Sequence, residues 1–184
     1  MNLNGEKKYR SKNNVIVTIR NARAEDVEKI IEIKKAVVTE NIYMMRYIEE
    51  TNYTKDGERK DVEDHLNNAG SLYIVAETGN EVIGFLEFQN GGLKRTSHSG
   101  MFSMFILKEW RECGIGKMLM ESMMKWAEQN PVIEKVTLAV FSTNERAQNL
   151  YKKFGFKEEG RCPKDMKLKD RTYVDSVLMY KFVK

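Results

Sequence analysis

Residues 111–117 of this 184-residue chain read Arg-Glu-Cys-Gly-Ile-Gly-Lys. An apolar run, Met101–Leu107, comes before them, and the chain turns through Lys108–Cys113. Leu119, Met120, Met123 and Ala127 follow at helical spacing. A strand, a glycine-containing turn and a helix N-terminus together make an anion site. The first helical N–H groups have no intrahelical acceptor and carry the positive end of the dipole, and glycine lets a ligand come close to the backbone. A phosphate or pyrophosphate is the natural guest. Two other phosphate loops do not fit. Met118 stands where a P-loop needs Ser or Thr for magnesium, and no glycine lies five residues before Gly116. Leu119 stands where the dinucleotide fingerprint needs its third glycine.

Other groups capable of chemistry are few. Glu87 shares strand register with Ile83 and Phe85, so an acid lies on a face that otherwise reads as apolar. It is the candidate general base, acting through water, and an ion-pair partner fits the same position; the residues leave both open. His98 begins a strand, at the end away from the expected cofactor, and His65 reads as a partly buried helix residue. With these two histidines alone, a histidine-built zinc site is not expected. Cys113 and Cys162 have neither metal-ligand spacing nor a disulfide framework. Without a placed His and Asp, Cys113 reads as a loop residue rather than a nucleophile. The net charge of +4 suits an anionic cofactor and is too small to indicate nucleic acid. No apolar run approaches the ~20 residues of a membrane span. A cytoplasmic, reduced protein with no membrane and no metal is expected.

The elements that position these residues follow from periodicity. Met1–Asn14 is polar and basic and reads as a flexible leader, with one domain over 15–184. Val15–Arg20 reads as the first strand. Val27, Ile30, Ile31, Lys34, Val37 and Val38 mark a helical stripe, and Asn41–Glu50 reads as a second helical region. Thr51–Lys60 reads as a polar loop with a turn at Asp56-Gly57, a candidate substrate lid. A short helix through Val62, His65, Leu66 and Ala69 closes at Gly70. Leu72–Glu77 and Glu81–Gln89 flank a hairpin signal, Thr78-Gly79-Asn80, and the basic loop Asn90–Ser97 leads to the strand before the anion loop. Val132–Val140 is a strand after the helix, which implies a parallel crossover. Ala147, Leu150, Tyr151 and Phe154 share one helix face, ended by Gly155. Phe156–Arg161 and Tyr173–Phe182 close the chain as paired strands, with Cys162–Arg171 irregular between them.

This order, together with two motifs, resembles the GNAT N-acetyltransferase superfamily. Arg111-x-x-Gly114-x-Gly116 is similar to its Gln/Arg-x-x-Gly-x-Gly/Ala pyrophosphate loop. Asn144-x-x-Ala147-x-x-Leu150-Tyr151, continued by Gly155-Phe156, is similar to its second conserved segment. His98-Ser-Gly and Tyr173–Met179 resemble a bacterial subgroup related to ribosomal-protein N-terminal and small-amine acetyltransferases. Lys108 and Glu112 depart from the commoner Pro and Gly, and Glu112 adds a negative charge beside the expected pyrophosphate.

The resemblance implies an α/β (α+β) fold: a mixed, mostly antiparallel seven-stranded sheet flanked by helices, with one parallel pair at the cofactor site. It implies acetyl transfer from acetyl-CoA directly, without an acyl-enzyme, to a primary amine of a small molecule or a protein N-terminus. The rival reading is a non-catalytic acyl-CoA-binding module. Acetyl-CoA contacts are implied for Met104, Phe105 and Ile106, with backbone N–H groups near Phe105 and Ile106 facing the thioester oxygen. The pyrophosphate falls to Arg111, Glu112, Cys113, Gly114, Ile115, Gly116 and Lys117. Asn144 and Ala147 fall beside the pantetheine arm, where Asn144 could also cap its helix. Tyr151, a phenol of ordinary pKa ~10, becomes the general acid for the departing thiolate. By the same resemblance the terminal strands are candidates for pairing across a homodimer.

Overall fold

The structure, a computed structural model, describes residues 2–184. Eight strands form one sheet: β1 (Lys7–Arg10), β2 (Ile16–Asn21), β3 (Leu72–Thr78), β4 (Glu81–Asn90), β5 (Ser99–Ile106), β6 (Lys135–Phe141), β7 (Lys157–Lys167) and β8 (Tyr173–Phe182). The helices are α1 (Val27–Glu40), α2 (Lys55–Asn67), α3 (Ile115–Gln129) and α4 (Glu145–Lys153). Strand order across the sheet is β1-β2-β3-β4-β5-β6-β8-β7. Only β5 and β6 pair in parallel. The β3–β4 turn places Gly79 and Asn80 at positive φ, as a two-residue hairpin loop requires.

The sheet has eight strands, not the seven expected. The extra strand lies inside the segment read as a leader. Lys7, Lys8 and Arg10 hide it from hydropathy, but Tyr9 turns inward and its hydroxyl lies 3.1 Å from Ser122 Oγ on α3. Leu3 is buried, and its N–H donates to Asn21 Oδ1 at 2.9 Å. The expected helix over Asn41–Glu50 is instead irregular, with one 3-10 turn at Ile48–Glu50. Asn41 adopts the left-handed conformation (φ 52°) and stops α1 there. Asp56-Gly57, read as a turn, lies in the first turn of α2, where Thr54 Oγ1 accepts the Gly57 N–H as an N-cap. Strand β7 continues through Cys162 to Lys167, with bulges, where an irregular segment was expected.

Two apolar layers hold the sheet. On one face α3 buries Met118, Leu119, Met123 and Trp126 against Leu86, Phe88 and Phe102. On the other, Ile30 and Ile33 of α1 and Val62 of α2 cover Tyr73, Phe85 and Phe105. Buried side chains of this size contribute about 1.5–3 kcal/mol each. Alternation along β5 therefore sends Phe102 to the α3 layer and Phe105 to the α1–α2 layer.

The parallel pair is short. Ser99, Gly100 and Met101 pair with Lys135, Val136 and Thr137, and beyond Met101 and Thr137 no pairing continues. The rest of β5 stays on β4 and the rest of β6 stays on β8, so the sheet opens as a V toward the start of α3.

Candidate active site

The anion loop is built as its residue types demand. Gly114 takes φ +93° and Glu112 takes φ +66°, a left-handed position where glycine is the easy choice. Among the described residues, the backbone N–H groups from Glu112 to Lys117 donate to no protein acceptor. They form a row of free donors at a helix N-terminus, which fits a pyrophosphate. A Cβ on Gly116 would lie 3.4 Å from Leu150 and 3.5 Å from Ile106 and Met104. The donor row therefore runs straight into the V.

The Arg111 side chain does not join this row. Its guanidinium makes a bidentate pair with Glu40 at the end of α1 (2.7 and 2.6 Å), and its Nε donates to the Ile106 carbonyl at 3.0 Å. It fastens α1 to the end of β5. Lys117 pairs with Glu121 at 3.3 Å. The Glu112 charge meets Arg146 of α4 at 3.4 Å, both exposed. Cys113 is buried: its thiol donates to the Arg111 carbonyl (3.4 Å) and accepts from Asn13 Nδ2 (3.0 Å).

The V has its own donors. Leu107 N–H donates to Ile83 on β4, Ser99 accepts from Gly91 on the same side, and Gly100 accepts from Thr137 of β6. Alternation then turns the Phe105 N–H onto β4 and leaves the Met104 and Ile106 N–H groups facing the V. Of the expected pair near Phe105 and Ile106, Ile106 faces the V and Phe105 does not; Met104 stands in its place. Tyr151 stands across the V on α4, half-buried, in edge contact with Phe102 (5.6 Å). Its hydroxyl makes no hydrogen bond among the described residues, and burial pushes its pKa up to about 12. Asn144 caps α4 by accepting the Ala147 N–H at 3.2 Å.

On the opposite face, a cavity of about 590 Å³ reaches the closed end of the V at Met101, Ser103 and Thr137. Glu87, paired with Ser103 across β4–β5, lines it together with Asp61, His65 and His98. Behind it Lys34, buried on α1, donates to both oxygens of Glu58 (2.8 and 2.9 Å) and lies 3.6 Å from Glu87. The Tyr73 hydroxyl donates to Glu58 at 2.9 Å. Glu87 Oε2 is buried and accepts no hydrogen bond. Burial raises the Glu87 pKa above the ordinary carboxylate value, with Lys34 opposing. Burial would depress His65, but Asp61 outweighs it and the imidazole pKa is raised. Glu87 is thus an ion-pair partner of Lys34 without a hydrogen bond to it, and the rest of its carboxylate lines the cavity.

Sequence reasoning missed Glu40, Lys34, Glu58 and Asp61. A lysine within an apolar helical stripe, and Asp61 and His65 at i,i+4, were the available signals. Nothing local ties Glu40 to Arg111, because that pair forms only when α1 lies across β5. Among the described residues, no His/Cys/Asp/Glu group has a metal-holding arrangement, and no helix is long and apolar enough to cross a membrane.

The profile of the acetyltransferase (GNAT) family matches residues 41–156. An N-alpha-acetyltransferase of Sulfurisphaera tokodaii is 32% identical over 148 residues, covering 76% of this chain and 80% of that protein. The L-amino acid N-acetyltransferase AaaT of Escherichia coli is 30% identical over 110 residues, 60% of this chain and 67% of that one. A phosphinothricin acetyltransferase from Sinorhizobium meliloti, solved in complex with acetyl-CoA, superposes with a TM-score of 0.80 at 20% identity, covering 90% of this chain and 88% of its own. With an open V, a donor loop at its mouth and this likeness in sequence and fold, the chain belongs to the GNAT acetyltransferase family and is an acyltransferase.

Proposed function

We propose that this chain transfers the acetyl group of acetyl-CoA directly to a primary amine that enters through the Glu87 cavity. One observation carries the reading: the free N–H row at Glu112–Lys117 opens into the V, and the V's closed end is a wall of that cavity. A diphosphate at the loop sends an extended acyl thioester along the edge of β5. Acetyl-CoA supplies the activated carbonyl. Met104 and Ile106 N–H groups face the carbonyl oxygen as charge develops on it. Tyr151, held protonated by its raised pKa, donates to the departing sulfur. Glu87, 23% exposed and lining the cavity, takes the ammonium's proton directly or through one water.

Relatives are named for N-alpha-acetyl transfer and for L-amino acids, and the acceptor we propose for this chain is accordingly an amine of a small molecule or a protein N-terminus. The test is acetyl-CoA binding by calorimetry, with CoA thiol release measured in the same samples across amino acids, small amines and peptides. Binding with thiol release on an amine is expected. Absence of binding would remove the reading, and binding without release on any amine or peptide would remove its catalytic part.

A further inference from the structure

We propose that the β1–β2 hairpin is a working part of the cofactor site, with Lys12 and Asn13 as positioning residues that aim the Gly114 N–H into the anion cradle. The inference rests on the acetyl-CoA reading above and adds a segment to it that sequence reasoning set aside as leader.

The hairpin turn is well defined. Ser11 N–H donates to Val15 O (2.9 Å), and Asn14 N–H donates to Ser11 O (3.0 Å). Among the turn residues only Asn14 has positive φ (+63°), so Lys12 and Asn13 are the central pair of a type I turn followed by a left-handed residue. Ser11 is buried, and its Oγ accepts the Val15 N–H at 3.1 Å.

This turn touches the anion loop at a single residue, twice. Lys12 N–H donates to the Cys113 carbonyl at 3.0 Å, and Asn13 Nδ2 donates to Cys113 Sγ at 3.0 Å. Cys113 lies between the two left-handed residues, Glu112 and Gly114. In a planar trans peptide the C=O and the following N–H point in opposite directions. A Cys113 carbonyl held against the hairpin therefore turns the Gly114 N–H away from it, where it has no protein acceptor. Glu112 prefers to leave its left-handed position, and rotation there would swing this peptide. The hairpin holds the loop in the conformation that a diphosphate needs, before the ligand arrives.

A proline substitution isolates the decisive atom. Proline is favoured at the first central position of a type I turn but has no N–H. Lys12→Pro therefore keeps the hairpin and removes the hydrogen bond to Cys113; Lys12→Ala removes the charge and keeps the bond. Acetyl-CoA Kd by calorimetry, KM for both substrates, kcat and Tm are measured on the full chain. Loss of one pre-organising hydrogen bond predicts Kd and acetyl-CoA KM weakened about three- to tenfold in Lys12→Pro. The amine KM and kcat at saturation stay at wild-type values, Tm falls by no more than about 2–4 °C, and Lys12→Ala binds like wild type. Asn13→Ala, which leaves the backbone untouched, carries the test if the proline variant does not fold, with weaker acetyl-CoA binding expected and amine KM unchanged. Wild-type binding in Lys12→Pro, or in Asn13→Ala where the proline variant does not fold, overturns the inference. An equal loss in Lys12→Ala also overturns it, since the ammonium would then be the contact. A wild type that does not bind acetyl-CoA fails the functional reading itself, and the inference with it.

Discussion

The Arg111 guanidinium is the test of how the cofactor loop is built. If it clamps α1 to β5, its loss is felt first as stability. Arg111→Ala removes two charge-assisted bonds to Glu40 and one to the Ile106 carbonyl. Such bonds contribute about 1.5–3 kcal/mol each when buried. Here the side chains are 26% and 21% exposed, so water replaces part of the loss. A net cost of about 2–3 kcal/mol follows, which lowers Tm by about 5–10 °C for a chain of this size. Glu40→Ala costs less, about 1–2 kcal/mol, because a guanidinium at the surface rehydrates readily. The two share one interaction, so the double variant falls short of additivity by about 1 kcal/mol or more. Acetyl-CoA affinity separates the clamp from its alternative. Under the clamp, both single variants loosen the loop, and both weaken binding by similar factors. If Arg111 instead gripped a phosphate directly, Glu40→Ala would free it and tighten binding. Thermal melts and calorimetric titrations of the four proteins decide. Tighter binding in Glu40→Ala, or weaker binding in Arg111→Ala with an unchanged Tm, refutes the clamp.

Three further outcomes follow from the site. Tyr151→Phe is expected to lower kcat about tenfold or more while acetyl-CoA Kd stays within about twofold, read by stopped thiol release and calorimetry. Because the wild-type phenol is pushed up to about 12, it stays protonated between pH 6 and pH 10, and no alkaline fall in kcat from Tyr151 is expected there. Glu87→Gln is expected to cost about 10²-fold in kcat/KM. In the wild type, rate falls as pH drops through the raised Glu87 pKa, above the ordinary 4.5, and an acid limb that survives in Glu87→Gln assigns it elsewhere. His65 adds a pH-dependent stability. Its folded pKa lies above the ordinary 6.5, so the stabilisation is full below 6.5 and is lost as pH climbs through the folded value. Tm measured against pH should show this loss, and Asp61→Asn should flatten it.

What could be read in the residues depended on how local the cause was. Gly114, Gly116 and the α3 stripe announced the anion loop because a turn and an amphipathic helix are set by neighbours a few residues apart. Asn144, Leu150, Tyr151 and Gly155 announced α4 for the same reason, and the antiparallel run β3–β5 followed from short connections. Strand β1 was missed because three of its four residues are charged and its pairing with β2 is visible only in the folded sheet. The second helical region read over Asn41–Glu50 does not form, since Asn41 takes the left-handed conformation and the chain beyond it is irregular up to the turn at Ile48–Glu50. The Glu40–Arg111 and Lys34–Glu58 pairs join positions 71 and 24 residues apart. No spacing rule reaches that far. That the Met104 N–H rather than the Phe105 N–H joins Ile106 in facing the V came from strand register, which a motif does not encode.

The sheet's two outermost strands carry a consequence for how copies of this chain meet. An open sheet offers unpaired backbone at each rim, and such rims invite another strand. At one rim β1 is only four residues long and reads Lys-Lys-Tyr-Arg. At the other, β7 carries Lys157, Glu158, Arg161 and Lys164, is broken by a bulge between Cys162 and Met166, and includes Pro163, which has no N–H to offer. A strand approaching either side meets charge, a kinked ladder or a missing donor. Both rims are terminators, and the molecule carries a built-in resistance to edge-to-edge polymerisation.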